Sequence, residues 1–263
     1  MSDYLINAGR LPVEITGAPQ PPQAPVVFLH GFSLDRRLWA DQTAALAGAF
    51  QTIAYDLRGF GGASLPDGPF RHADDLLALL DQLQIERAHL VGLSLGGGLA
   101  LDFCLAHPGR VRTLTLVDAT LGGFTWAKDW GEPTRAARAQ GVAAARAVWL
   151  ADEIFTPALT QPAAAARLRQ MVADYSGWHW LNRSPELPPA GEPALNRLGE
   201  ITAPALVIAG ELDTAEFRQI ADLLARALPG ARRASLAGVG HLPNLEAPER
   251  FNALLREFLD QHP

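Results

Sequence analysis

Ser94 stands inside Gly92-Leu93-Ser94-Leu95-Gly96, a G-x-S-x-G run that continues into Gly97 and Gly98. The apolar stretch Ala88 to Leu93 precedes it and a helical pattern follows, which places the serine on a strand-to-helix turn. Glycines there let the backbone turn too sharply for side chains, so that one hydroxyl stands at the end of a strand. The start of the following helix brings partial positive charge beside it. The competing reading is an ordinary glycine-rich turn with a small polar residue. A serine hydroxyl is a poor nucleophile alone, so the choice rests on finding a base to take its proton and an acid to orient that base.

Seven histidines are available. His241 lies in the glycine-rich loop "AGVGHLPNLEAPE", after the last predicted strand "RRASLAG" and before a helix beginning near Glu246. A loop histidine held by glycines reaches over a sheet edge, so His241 is the candidate base. His30 reads as a turn residue at a strand end, His72 as the start of a surface helix, and His89 as a strand residue on the wrong side of the turn. His107 reads as a helix C-cap, His179 as packed between aromatics, and His262 falls in the last residues. Two aspartates end strands, Asp118 after "TLTLV" and Asp213 after "ALVIAGEL", and the order serine, acid, histidine fits either. Asp213 is preferred because a loop carboxylate can be aimed. Asp118 then reads as a capping or turn residue. The backbone N–H groups of Phe32, just past the strand "VVFLH", and of Leu95, just past the serine, are placed to hold an oxyanion. Loss of one such donor typically costs about 2.7–4 kcal/mol of transition-state stabilisation.

These residues need a scaffold. Val26 to His30, Thr52 to Asp56, Ala88 to Leu93, Thr113 to Asp118 and Ala205 to Gly210 are unbroken apolar runs rather than alternating ones. Continuous apolarity indicates strands buried on both faces, as in a parallel sheet. Helical spacings lie between them, for example Leu76, Leu79, Leu80 and Leu83, so an α/β fold with helices on both faces is expected. The opening "YLINAGRLPVEITG" reads as an antiparallel hairpin at the sheet edge. From residue 122 to residue 199 no buried strand is evident, and this stretch carries five of the six tryptophans. It reads as a helical lid inserted into a core formed by residues 1–121 and 200–263. Trp126, Trp178, Trp180 and Leu242 are the candidate pocket residues.

The 263 residues, 48% hydrophobic, suffice for one large core. A net charge of -6 without a basic cluster argues against nucleic acid, and "DRR" at Asp35 to Arg37 reads as the solvated start of a helix. No apolar run is long enough to span a membrane. The N-terminal stretch has neither a basic start nor an apolar core, and Cys104 is a lone cysteine, so a cytoplasmic protein without disulfides is expected. No histidine pair has metal-ligand spacing and no G-x-G-x-x-G is present, so neither metal nor cofactor is expected.

"HGF", "DLRGFG", "GLSLGG" and "GVGHLPNLEAPERF", in this order, resemble the α/β-hydrolase superfamily over nearly the whole chain apart from the insertion. The nearest likeness is to small bacterial carboxylesterases and enol-lactonases of the 3-oxoadipate type. The resemblance implies an eight-stranded, mostly parallel sheet with a helical cap after the sixth strand. It implies Ser94 as nucleophile, His241 as base and Asp213 as acid. Ala63 departs from the serine common at that turn. Dehalogenases and epoxide hydrolases of this superfamily carry aspartate at the nucleophile, and Ser94 argues against both. A serine hydrolase acting on a small ester or lactone is the leading expectation. A carbon–carbon bond hydrolase or cofactor-free perhydrolase would use the same three residues, and a non-catalytic binding protein is the third reading. Sequence leaves the oligomeric state open.

Overall fold

The structure is a computed structural model that describes residues 2–263. Eight strands form one sheet in the order β1-β2-β4-β3-β5-β6-β7-β8. They are β1 (Ser2–Ile6), β2 (Gly9–Thr16), β3 (Val26–Leu29), β4 (Thr52–Tyr55), β5 (Ala88–Leu93), β6 (Val111–Val117), β7 (Ala205–Gly210) and β8 (Arg232–Leu236). β1 and β2 form the antiparallel edge hairpin, and all pairings from β4 through β8 are parallel. Every residue of β3, β4, β5 and β7 is buried, as their unbroken apolar runs require.

Helices cover both faces. α1 (Ala40–Leu46), α2 (His72–Gln82) and α3 (Leu95–Ala106) follow β3, β4 and β5. The chain leaves β3 for β4 on one side and returns to β5 on the other, so the strand order reverses between β3 and β5. A crevice opens at the carboxyl ends of strands at such a switch point. Leu29 pairs with Gly92 and Leu93 with Val117. That register brings the segments after β3, β5 and β6 to one edge.

Between β6 and β7 lie α4 (Glu132–Gln140), α5 (Val142–Leu150), α6 (Thr156–Leu159), α7 (Pro162–Asp174) and α8 (Trp178–Leu181). They are followed by an irregular connector. The chain then forms β7, α9 (Ala215–Ala227), β8, α10 (Pro243–Glu246) and α11 (Pro248–Asp260). The inserted helices share one contiguous hydrophobic cluster with the sheet. Polar contacts also fasten them: Trp149 Nε1–H donates to Ser33 Oγ (2.6 Å), Arg167 donates to the Arg37 carbonyl (3.0 Å) and pairs with Asp41, and Arg37 pairs with Asp174 (2.8 Å). No helix of the described residues is long and apolar enough to cross a membrane.

Two sequence expectations change. Asp35 is not solvated: it is 2% exposed and accepts from the Arg37 N–H at the start of a 3-10 turn, and Arg36 pairs with buried Asp56 (2.5 Å). His72 does begin a helix, but it falls on the same stripe as Asp75, Leu76, Leu79 and Leu80 and is buried against Phe70.

Burial pushes His72 and His89 down to about 3. Unfolded, each takes up a proton near pH 6.5. Above that pH both states are neutral and stability is unaffected. Below it the unfolded chain binds the extra proton, so stability falls as pH drops toward 3. His89 donates to or accepts from Thr113 Oγ1 at 2.8 Å, a contact glutamine can keep. His89→Gln is expected to flatten the dependence of unfolding free energy on pH by about 1.4 kcal/mol per unit between about pH 6 and 4.5. Urea unfolding at the two ends of that window checks it, and a slope equal to wild type counts against the account.

Candidate active site

Ser94 links β5 directly to α3 with φ 53° and ψ −113°. A non-glycine residue held in such a region costs on the order of 1–3 kcal/mol. The surrounding backbone holds it there. The Ser94 N–H donates to the Val117 carbonyl (2.9 Å), and the Ser94 carbonyl accepts from the N–H groups of Gly97 (3.0 Å), Gly98 (3.1 Å) and Thr120 (3.0 Å). The flanking glycines clear room for the turn, as the sequence suggested. The positive φ falls on Ser94 itself, and the glycines are needed for close approach. A Cβ on Gly96 would lie 2.2 Å from the Leu29 carbonyl oxygen, and one on Gly92 would lie 2.2 Å from that of Gly96.

His241 and Asp213 meet. His241 Nδ1 lies 2.7 Å from Asp213 Oδ2, with both side chains buried. A carboxylate only accepts, so Nδ1 carries the proton of this hydrogen bond and Nε2 is left for the cavity side of the chemistry. Asp213 Oδ1 accepts from the Thr214 N–H (2.7 Å), which aims the carboxylate. The His241 loop is clamped by Glu246, a residue that sequence reasoning used only to mark a helix start. Glu246 Oε2 accepts from the Gly240 N–H (2.7 Å) and Oε1 from the Leu242 N–H (3.0 Å), one on each side of the histidine. The spacing of five residues from His241 to a carboxylate was the available signal. Phe217 packs on the imidazole with ring centroids 4.2 Å apart.

Ser94 and His241 line one cavity of about 310 Å³. Phe32 and Leu95 line it too, at the ends of β3 and β5. Leu95 is the first residue of α3, where helix geometry gives its N–H no intrahelical acceptor. His30 fixes the turn that carries Phe32. Its Nε2 accepts from the Leu57 N–H (3.0 Å), which leaves Nδ1–H to donate to the Gly31 carbonyl (2.8 Å). Burial lowers its pKa, in keeping with a neutral ring.

Of the candidate pocket residues, Trp126, Trp180 and Leu242 line this cavity. Trp178 does not: it packs edge-on against His179 at 4.9 Å. Two positions apart on a helical turn point to opposite sides, so α8 sends Trp180 inward and Trp178 away. Trp130, Trp149, Phe155 and Phe217 also line it and were not singled out as pocket residues. Phe217 sits on the stripe Phe217, Ile220, Ala221 and Leu224 of α9, which reads in sequence as core. His179 stacks on Phe60 (4.3 Å, 14°), packed among aromatics as expected.

Asp118 directly follows β6, at the same sheet edge as Asp213 and beside the site. It is 0% exposed, its carboxyl accepts from the Gly210 N–H (3.3 and 3.2 Å to the two oxygens), and it neighbours Asp213. The arrangement as a whole offers a hydroxyl on a strained turn, an oriented imidazole and the first amide of α3 at an apolar cavity. Such groups can carry out acyl transfer.

The profile of the family described as "Alpha/beta hydrolase family" matches residues 26–254. The chain is 27% identical to 3-oxoadipate enol-lactonase 1 of Acinetobacter baylyi, over 95% of this chain and 92% of that protein. It is 29% identical to carboxylesterase YbfK of Bacillus subtilis, over 92% of this chain and 82% of that one. Its structure is similar to the crystal structure of the enol-lactonase from Burkholderia xenovorans LB400, with a TM-score of 0.85 and 27% identity, covering 98% of this chain and 100% of that one. With its eight-stranded sheet, its strained turn after β5 and this match across most of its length, the chain belongs to the alpha/beta hydrolase family and is a hydrolase.

Proposed function

We propose that the protein is a serine hydrolase that cleaves small carboxylic esters or lactones through an acyl-enzyme. The observation that carries this reading is the 2.7 Å contact between His241 and Asp213 at a cavity that Ser94 also lines. His241 Nε2 takes the Ser94 proton as Oγ attacks the substrate carbonyl. Asp213 holds the imidazole and stabilises the imidazolium. The amides of Phe32 and Leu95 hold the oxyanion, and His241 returns the proton to the leaving oxygen. Water activated by the same base then frees the acyl group. The relatives named as enol-lactonase and carboxylesterase support the same bond class.

Residues 122–199 serve as a lid over the core of residues 1–121 and 200–263. Four of the lid's tryptophans, Trp126, Trp130, Trp149 and Trp180, wall the cavity. No lysine or arginine lines it. Lys128 sits behind Trp130, with its ammonium 4.8 Å over that ring and paired to Asp152 (2.7 Å) and Glu153 (3.0 Å). An anionic acyl group would lose its hydration there with no cation in return. The substrate is therefore neutral and apolar in the part that enters beneath the lid.

Ser94→Ala is expected to lower kcat on p-nitrophenyl butyrate by about 10⁴-fold or more, with an unchanged circular dichroism spectrum. Full activity in that folded variant would remove Ser94 from the mechanism. Asp213→Asn is expected to lower kcat by about 10⁴-fold, because the amide stabilises the wrong imidazole tautomer; rate losses within tenfold of wild type would reassign the acid. Wild-type kcat/KM is expected to be at least about 100-fold higher for p-nitrophenyl butyrate than for the hemisuccinate, whose acyl chain ends in a carboxylate. Equal rates for the two esters would show that the cavity accepts the charge.

A further inference from the structure

Asp118 is a buried carboxyl that the proposed chemistry does not use. It follows β6, and the pairing of Leu93 with Val117 sets it beside Ser94 across the strand ends. Its φ is 38°, and its N–H donates to the Ile208 carbonyl (2.9 Å), so the backbone is tied to β7. Its side chain is wholly buried. The titratable groups that face it are Asp213, from the loop after β7, and Glu246, from α10; both are acidic. His241 Nδ1 is bound to Asp213 Oδ2.

Two carboxylates in contact without a cation between them cannot both be ionised. The donors decide which one keeps the proton. Asp213 accepts two short hydrogen bonds, from His241 Nδ1 and the Thr214 N–H, both at 2.7 Å. Asp118 has a single backbone N–H, from Gly210, at the longer distances of 3.2 and 3.3 Å. Charge therefore settles on Asp213.

We propose that Asp118 is a positioning residue, a neutral carboxylic acid whose O–H donates to the Asp213 carboxylate and holds it toward His241. The proposal rests on Asp213 as the acid of the triad. Burial first, and the Asp213 charge second, push the Asp118 carboxyl well above the usual carboxylate range. With this donor Asp213 has partners on both oxygens and from three directions: Thr214, His241 and Asp118. The Asp118 hydrogen bond also withdraws charge from Asp213, which tempers its pull on the His241 proton.

The decisive test pairs Asp118→Asn with Asp118→Ala. Asparagine keeps a neutral donor and an acceptor for Gly210; alanine keeps neither. Asp118→Asn is expected to stand at least about tenfold above Asp118→Ala in kcat/KM on p-nitrophenyl butyrate. The acid limb of the kcat/KM profile is expected to move to higher pH in Asp118→Ala, since Asp213 then holds the imidazolium more strongly. Two variants of equal activity, or an acid limb that stays in place, would overturn the positioning role. A second readout needs no turnover. A buried acid that keeps its proton makes the folded state bind one more proton than the unfolded chain above about pH 4, so stability falls as pH rises from there. The melting temperature of Asp118→Asn minus that of wild type is expected to grow from about pH 4 to pH 7. A difference that stays constant would mean that Asp118 is ionised in the fold and would end the proposal, even if Asp118→Ala does not fold. Should the ester assay fail for every variant while the melting difference grows, the neutral acid stands and the ester reading fails.

Discussion

The close approach of α3 to the end of β3 governs the rest of this molecule. Gly96 lies so near the Leu29 carbonyl that a single methyl group would collide with it. That contact forces the chain to reverse within one residue, and Ser94 takes the positive φ. The strain stays because backbone groups from β6 and the segment beyond it, at Val117 and Thr120, fix both ends of the peptide. Parallel register then does the assembling. Because β3, β5, β6 and β7 run together, the segments carrying Phe32, Ser94, Asp118 and Asp213 all emerge at one edge.

Around that edge, charge is managed by backbone amides more than by cations. Glu246 is answered by two N–H groups flanking His241, Asp213 by Thr214, and Asp118 by Gly210. An amide is a fixed dipole that adds no mobile charge to a low-dielectric site. The arrangement holds three buried carboxyl groups near one imidazole while a single ring, His241, remains oriented. His30 has both its nitrogens committed to the backbone.

The inserted helices supply what the sheet lacks, an apolar roof. Phe32 is the joint between the two. Its ring makes edge-to-face contacts with Phe60 of the core and with Trp149 and Tyr175 of the insertion, at 5.5 to 5.7 Å. One residue that lines the cavity therefore joins the core to the roof through its ring. The cavity lies beneath four indoles, and no lysine or arginine lines it.

The sequence by itself determined the local elements. Buried parallel strands leave unbroken apolar runs, surface helices leave stripes, and the edge hairpin and the turn at Ser94 were legible because each depends on neighbours a few residues apart. The same locality placed Asp213 and His241 in loops after strands. Tertiary structure alone decided what those elements meet. Asp118 and Asp213 are 95 residues apart in the chain, and only the pairing of β6 with β7 makes them partners. Trp178 and Trp180 are alike in sequence, and only the seating of α8 separates them. Phe217 reads as one more core residue until α9 brings its ring onto His241. Asp35 reads as solvated until the Arg37 backbone and the inserted helices close over it. Contacts of this kind come from strand order and packing across long chain separations, which short-range periodicity does not encode.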